Sequence, residues 1–348
     1  MIWKILFGVT AILAQILQAL AAPTLDSQLT SQLPGKYVFA HFMVGIVKDY
    51  QLSNWKEDMA AAQSIGINAF ALNCASIDSY TPTQLALAYE AAEQVNFKVF
   101  ISFDFAYWTN GDTAKITEYM KQYASHPAQM QYKGAAVVST FVGDSFNWDP
   151  VRQGTPHPIY ALPNLQDPAD ATTGPAKSAD DYGESHYIGP YSAHHSDDGS
   201  SQWAANMPHD GWRNLFKPYI AAYKSGAKTP TVEVDEVVYW YRPTPKGVVC
   251  TGDILSAPMG ANMLSDSVFV ATMLTSPATL TVQSGDNAPV NIDVPAGIVT
   301  SNVSMGIGGQ SFKVTRNGQT ILSGQGGLAV KDNCVNYNFN VYVGSIGG

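Results

Sequence analysis

The sequence predicts an α/β fold, a parallel sheet or barrel, that is followed by an antiparallel β-sandwich. Strand-like and helix-like segments alternate from Tyr37 to about Phe141, which is typical of parallel βαβ units. Short Val/Thr/Leu runs separated by Gly-rich turns recur from Val248 onward, which is typical of a sandwich. Between them, Val151 to Lys177 is rich in Pro, Gly, Asp and Thr and predicts neither helix nor strand.

The N-terminal half contains four predicted strands and three predicted helices. The strands are Tyr37–Val44, Ala69–Asn73, Lys98–Asp104 and Ala135–Thr140, and the helices are Leu52–Ile65, Thr83–Gln94 and Thr113–Tyr123. Asn73 and Asp104 close their strands, and Asp144 follows the fourth. The carboxyl ends of parallel strands carry the chemistry in such folds, so these residues are candidate site residues. Each could equally be a helix cap or a turn residue.

The C-terminal part begins with a predicted helix, Gly211–Lys224, and a linker that leads into a strand at Val232–Tyr241. Further strands are predicted at Val268–Leu274, Ala278–Val282 and Phe312–Thr315. We therefore expect three regions: a signal peptide at 1–21, an α/β domain at 22–228 and a β-sandwich at 229–348.

The N-terminus has the features of a secretory signal. Met1–Lys4 gives a short positive start, an apolar run follows from Ile5 to Leu20, and Ala19-Leu20-Ala21 has the shape of a cleavage site. The run is shorter than a typical membrane span. We expect the mature protein to be secreted.

Charge and cysteine content narrow the possible partners. The formal net charge of −9 is spread along the chain, whereas nucleic acids and anionic membranes need clustered Lys and Arg. We therefore expect neither as a partner, and we expect a monomer. Of the three cysteines, Cys250 and Cys334 lie near the two ends of a strand-rich segment and are predicted to pair, which leaves Cys74 as a buried thiol.

The string Asp181–Pro190, DYGESHYIGP, is the most informative motif. It places two carboxylates, Asp181 and Glu184, three residues apart around a glycine. Cleavage of a glycosidic bond needs one carboxyl group as acid and another to activate water or attack the sugar. We expect Tyr182, His186 and Tyr187 to contact sugar by stacking and hydrogen bonding. On spacing alone, such a pair is more often a solvated turn.

The sequence resembles glycoside hydrolase family 71, the fungal α-1,3-glucanases or mutanases. The similar stretches are Val38–Gly45, Trp55–Asp58, Ile67–Asn73, Phe97–Phe105, Ser139–Asp144 and Asp181–Tyr191. The resemblance implies a (β/α)8 barrel that hydrolyses α-1,3-glucan with inversion and without a cofactor. It also implies Asp181 and Glu184 as the catalytic pair, and His41, Asp104 and Asp144 as residues that line the sugar subsites.

The chain departs from the family pattern just before the catalytic string. A (β/α)8 barrel takes about 250 residues, whereas Tyr37 to Lys224 offers roughly 190. Ala179-Asp180 stands where the family usually has Trp-Asn. We therefore predict an incomplete barrel, with two to three βα units deleted near Ser178. The alternative to an active endo-type hydrolase is a wall-associated glucan-binding protein without turnover.

Two other kinds of site are less well supported by the sequence. A metal site is conceivable because six residues cluster: His194, His195, Asp197, Asp198, His209 and Asp210. Their spacing matches no helical HExxH-type pattern, so we interpret them as a solvated surface and expect no metal. The sequence contains no G-x-S-x-G string, the motif that would indicate a serine hydrolase.

Overall fold

The computed structural model describes residues 36–162, 180–192, 194–196, 199–253 and 257–348. The predicted signal peptide at 1–21 lies outside these residues. Within the described ranges, no helix is both long enough and apolar enough to cross a membrane.

Five parallel strands form the N-terminal sheet, in the order β1 (Phe39–Met43), β2 (Ala69–Cys74), β3 (Lys98–Asp104), β5 (Ala135–Phe141) and β6 (Ile159–Leu162). A two-residue strand, β4 (Gln131–Tyr132), pairs antiparallel with β5. The connecting helices are α1 (Leu52–Ser64), α2 (Thr81–Gln94), α3 (Thr113–Tyr123) and α4 (Asp149–Gly154). The predicted mixed α/β fold is confirmed.

Side chains alternate between the two faces of this sheet. One face, with Phe42, Phe70 and Ile101, packs with the helices in the main hydrophobic core. The opposite face forms a smaller apolar cluster that includes Ala71 and Phe100. His41 and Asp104 belong to this second face by the same alternation.

The segment predicted to lack regular structure does contain some, so that prediction was wrong for Val151 to Leu162. Helix α4 occupies its start, and β6 pairs with β5 from Ala136↔Ile159 to Ser139↔Leu162. The reason is length: a strand of four residues shows too little periodicity to be distinguished from a loop. Residues 163–179 lie outside the described part of the chain.

The other edge of the sheet is β1, and β7 (Asp180–Asp181) lies beside it. The amide of Met43 donates a hydrogen bond of 2.8 Å to Oδ1 of Asp180. β7 pairs with β8 (His186–Tyr187) in a short antiparallel hairpin. Among the described residues no strand joins β6 to β7.

The C-terminal part consists of two antiparallel sheets. The first has the order β13 (Gly297–Ser304), β10 (Ser267–Leu274), β9 (Glu236–Tyr241) and β16 (Tyr342–Gly347), and the second β12 (Val290–Val294), β11 (Ala278–Ser284), β14 (Gln310–Arg316) and β15 (Gln319–Gln325). One hydrophobic core contains residues of both, and Tyr239 stacks on Phe312 across it at 4.1 Å. The predicted β-rich C-terminal part is confirmed.

Two helices, α5 (Ser201–Ala204) and α6 (Asp210–Ser225), connect the hairpin to the C-terminal sheets. α6 packs Trp212 and Leu215 on the outer face of the first sheet, and Phe216 against the N-terminal core. At its start, a Cβ on Gly211 would lie 2.8 Å from the carbonyl oxygen of Gly344, so only glycine permits this close approach.

Cys250 and Cys334, the pair predicted from the sequence, form a disulfide with their Cα atoms 4.7 Å apart. Backbone hydrogen bonds from Thr251 to Cys334 and from Gly252 to Val335 run beside it. Cys74 is a free, buried cysteine.

Candidate active site

The Asp181/Glu184 pair sits on the tight turn between β7 and β8. The amide of Glu184 donates a hydrogen bond to Oδ1 of Asp181 at 3.1 Å. Oε2 of Glu184 lies 3.3 Å from Nδ1 of His186, and both side chains are well exposed. Ser185 adopts a left-handed conformation, with φ of 60°, which closes the turn. The two carboxylates are therefore held by one four-residue segment.

Tyr182 and Tyr187 anchor this turn from below. Both side chains are buried, and their rings lie 4.7 Å apart. The Tyr182 hydroxyl donates to the Pro190 carbonyl at 2.8 Å, and Nε1 of Trp203 donates to the Tyr182 carbonyl at 2.7 Å. The sequence predicted these rings as stacking surfaces for sugar. Their positions are instead those of core residues, because the hairpin turns them inward against the sheet.

Two histidines of the cluster that was interpreted as a solvated surface, His195 and His209, are buried, so that interpretation was wrong for them. His209 stacks on Tyr187 at 3.8 Å and accepts or donates hydrogen bonds at both ring nitrogens. Nε2 of His195 lies 2.6 Å from the Tyr50 hydroxyl. The described residues contain no group of three or more His, Cys, Asp or Glu that could hold a metal ion. Asp197 and Asp198 lie outside them.

Two further carboxyl groups, which the sequence did not indicate, lie near the hairpin: Asp180 is buried and Asp58 is half-buried. Asp180 is only 2% exposed, and burial raises its pKa well above the ordinary value. Burial also raises the pKa of Asp58, on α1, to about 7, although the Tyr50 hydroxyl donates to its Oδ2 at 2.8 Å. The two carboxyl groups line one small internal cavity and repel each other when charged.

The sequence held a partial signal for this pair. Asp58 ends the Trp55–Asp58 stretch that resembles family 71, and Asp180 is one of the two residues that depart from the family pattern. Neither observation places the two side chains together, because they are far apart in the chain.

Of the predicted subsite residues, Asp104 ends β3 and Asp144 follows β5, whereas His41 lies in the middle of β1. Burial lowers the pKa of His41 to about 4, so its ring is neutral near pH 6. Oδ1 of Asp104 accepts the amide of Ala106 at 2.9 Å, and its carboxyl group also bonds to the side chain of Asn73. Burial nevertheless raises the pKa of Asp104 above its ordinary value.

Asp144 is exposed and follows a strained turn after β5. Val142 has a φ of 47°, which is rare for a β-branched residue. A Cβ on Gly143 would lie 2.5 Å from Cβ of Thr140, so the turn requires glycine there. Strain of this kind is frequently found at functional sites.

The sheet order decides which candidates are close together. His41 and Asp181 lie on neighbouring strands, because β7 flanks β1. Asp104 ends β3 and Asp144 follows β5, further along the same sheet edge. This edge, with a carboxylate pair on its last hairpin, has the residue types that glycoside hydrolases use.

The comparisons with known proteins agree with this class. The family model of glycosyl hydrolase family 71 matches this chain at residues 34–180 and 177–348. A mutanase of Penicillium rubens is 70% identical over 432 residues, covering 100% of this chain and 97% of that protein. A glucan endo-1,3-alpha-glucosidase of Schizosaccharomyces pombe is 31% identical, covering 89% of this chain and 94% of that protein. The chain belongs to glycosyl hydrolase family 71.

Among solved structures, an endo-β-1,4-mannanase from Thermotoga petrophila is similar with a TM-score of 0.38 and 8% identity, covering 88% of this chain and 99% of that one. A likeness at this level does not bear on the site.

Proposed function

We propose that this chain is a secreted endo-type glycoside hydrolase that cleaves α-1,3-glucosidic bonds. The observation that carries the proposal is the Asp181/Glu184 turn at the open edge of the parallel sheet, where the Glu184 amide holds the Asp181 carboxylate at 3.1 Å. The names of the two relatives, a mutanase and a glucan endo-1,3-alpha-glucosidase, support the substrate. The partner would be α-1,3-glucan of fungal walls or mutan.

The mechanism that we propose needs both carboxyl groups and a water molecule. One carboxyl group donates a proton to the glycosidic oxygen as the bond to C1 breaks. The other, as carboxylate, takes a proton from water, whose oxygen bonds to C1 on the opposite face, so that the configuration inverts. His186, 3.3 Å from Glu184, can donate a hydrogen bond to it or exchange a proton with it.

We also propose that the N-terminal sheet is a (β/α)8-type barrel without two to three of its βα units, followed by a β-sandwich accessory domain. The two family segments meet at residues 177–180, between β6 and β7. The Penicillium alignment spans 432 residues although this chain has 348, so at least 84 aligned residues have no counterpart here. That number supports a deletion, since a βα unit takes roughly 30 to 40 residues.

A glucan-binding protein without turnover is the second candidate function. The proposed deletion favours it, because absent strands would leave part of the substrate cleft unbuilt; within the part of the chain that the structure describes, no strand lies between β6 and β7. This chain would then bind α-1,3-glucan through its remaining surfaces but release no sugar.

Release of reducing sugar from insoluble α-1,3-glucan separates the two functions. The wild-type chain and Glu184→Gln would be compared, with sedimentation of the protein with the glucan as the binding measurement. Release by the wild type and none by the variant would establish the hydrolase. Co-sedimentation of both without release would establish the binding protein instead. Sequencing the transcript across the Ser178 junction would show whether an additional coding segment belongs there.

A further inference from the structure

An open groove lies between the carboxylate turn and a segment of the C-terminal part. Glu184, His186 and Trp203 line one side of it. Tyr337, Asn338 and Phe339 line the other side, just before β16. We name the five residues Tyr337–Val341 the C-terminal wall. The side chains of Glu184 and His186 are exposed in this groove.

We propose that the C-terminal wall is a sugar-binding subsite for the glucan chain that is cleaved at Asp181 and Glu184. The inference rests on the proposed function, and it adds a binding surface from the accessory part of the chain. A polysaccharide cut internally extends on both sides of the broken bond, so it needs a surface that continues from the carboxylates. The groove provides that continuation, because Glu184 is itself one of its residues.

The side chains of the wall have the chemistry of a neutral sugar site. Tyr337 and Phe339 are half-buried aromatic residues whose rings lie 5.8 Å apart, edge to face. Arg242 lies over the Phe339 ring at 5.3 Å and so helps to fix it. Aromatic rings pack against the apolar face of a sugar, and nearby amide and hydroxyl groups fix its orientation. Asn338 and the Tyr337 hydroxyl are such groups.

The wall is held in place before any ligand arrives. Asn340 donates to the Tyr187 hydroxyl at 2.8 Å and to the Trp203 carbonyl at 3.1 Å. Asn338 also donates to the Trp203 carbonyl, at 3.2 Å, and the amide of Tyr337 donates to Asp253 at 3.0 Å. The Cys250–Cys334 disulfide ties the chain three residues before the wall. A preformed surface of this kind loses little entropy when a ligand binds.

Binding to α-1,3-gluco-oligosaccharides tests the inference in the full chain carrying Glu184→Gln, which can bind without turning over. We expect Tyr337→Ala and Phe339→Ala, each added to this background, to weaken binding roughly tenfold in calorimetric titrations. Tyr219→Ala is the matched control, since Tyr219 is an exposed aromatic residue on α6 that does not line the groove, and it should bind as the parent does.

Amide hydrogen exchange in the Glu184→Gln chain provides a second measurement that does not depend on the folding of the aromatic variants. The amides of residues 337–341 should exchange more slowly when the oligosaccharide is bound. Unchanged affinity in both aromatic variants, together with unchanged exchange at these amides, would overturn the subsite while leaving the proposed function intact. A chain that neither binds nor hydrolyses α-1,3-glucan would overturn both.

Discussion

The backbone amide of Glu184 donates a hydrogen bond to Oδ1 of Asp181 across 3.1 Å. Glu184 therefore orients the Asp181 carboxylate through its main chain and not through its side chain. The turn can consequently survive the loss of either negative charge, provided that an acceptor remains at position 181. This separation lets substitutions test chemistry and folding independently.

Asp181→Asn should abolish most of the hydrolysis and leave the fold intact. The amide oxygen of asparagine can still accept the Glu184 amide, but the side chain can neither donate nor take up a proton in the reaction. We expect sugar release to fall by about 100-fold or more, the usual effect of losing a general acid or base. Asp181→Ala would also lose the acceptor, at a cost of about 1 kcal/mol in the free energy of unfolding.

Initial rates on α-1,3-glucan and thermal unfolding midpoints would be measured on the same preparations. Asp286→Asn is the control, because Asp286 is exposed in a turn of the C-terminal sheets. Full activity of Asp181→Asn would remove Asp181 from the catalytic pair.

The strands β2, β3 and β5 could be predicted because they are long and buried on both faces. β2, for example, is buried along its whole length and forms an uninterrupted apolar run except for Asn73. β6 could not be predicted, since only four residues of it pair with β5. The periodicity of the sequence predicts long strands but not a strand as short as β6.

The candidate site was predicted in part. Asp181 and Glu184 share one turn, so a local motif was enough to select them. Tyr182 and Tyr187 were assigned to sugar because a motif does not show which face of a hairpin is buried. Asp180 contacts Met43 from 137 residues away, and such a contact exists only once the chain has folded.

The contribution of Asp58 to the stability of the protein should fall as the pH rises from about 4 to 7. Burial raises the pKa of Asp58 to about 7, whereas an unfolded aspartate titrates near 3.9. In this range the folded state binds more protons than the unfolded state, so raising the pH favours unfolding. The stabilisation is complete below the pKa of Asp58 in the unfolded state, and it is lost as the pH rises through the pKa of Asp58 in the folded state.

Urea unfolding at a series of pH values would measure this slope. Asp58→Asn should remove this contribution, so that stability falls less with rising pH in the variant than in the wild type, since its amide oxygen can still accept the Tyr50 hydroxyl but cannot titrate. Asp144→Asn, at an exposed carboxylate, should leave the slope as it is. Parallel profiles of the wild type and Asp58→Asn over this range would contradict the prediction.

Asp180→Asn should stabilise the protein near neutral pH. The Asp180 carboxyl group is buried, its pKa is raised well above the ordinary value, and Asp58 lies near enough to raise it further. Asparagine keeps an oxygen for the Met43 amide and needs no proton to remain neutral. We expect a higher free energy of unfolding at pH 7, because the wild-type carboxyl group must take up a proton there to remain neutral.

The same variant should show little or no gain at pH 4, where the unfolded carboxyl group is about half protonated as well. Comparing the gain at the two pH values therefore separates the effect of protonation from any change in packing that the substitution causes. A variant that is less stable than the wild type at pH 7 would mean that the carboxylate is stabilised there by contacts stronger than its burial penalty.

Tyr187→Phe separates a structural role of this ring from a role in sugar stacking. The Tyr187 hydroxyl donates to the Met207 carbonyl at 2.5 Å and accepts from Asn340 at 2.8 Å, so its removal leaves two buried partners unsatisfied. We expect the free energy of unfolding to fall by about 1–3 kcal/mol. The phenyl ring would still be able to stack, so a stacking role alone predicts no loss of stability and no change in glucan affinity.

Tyr160→Phe, at an exposed tyrosine of β6, is the control and should change the unfolding midpoint little. Because Asn340 also holds the C-terminal wall, the structural role further predicts weaker oligosaccharide binding by Tyr187→Phe at temperatures where it remains folded. Unchanged stability of this variant would return Tyr187 to the list of residues that contact sugar.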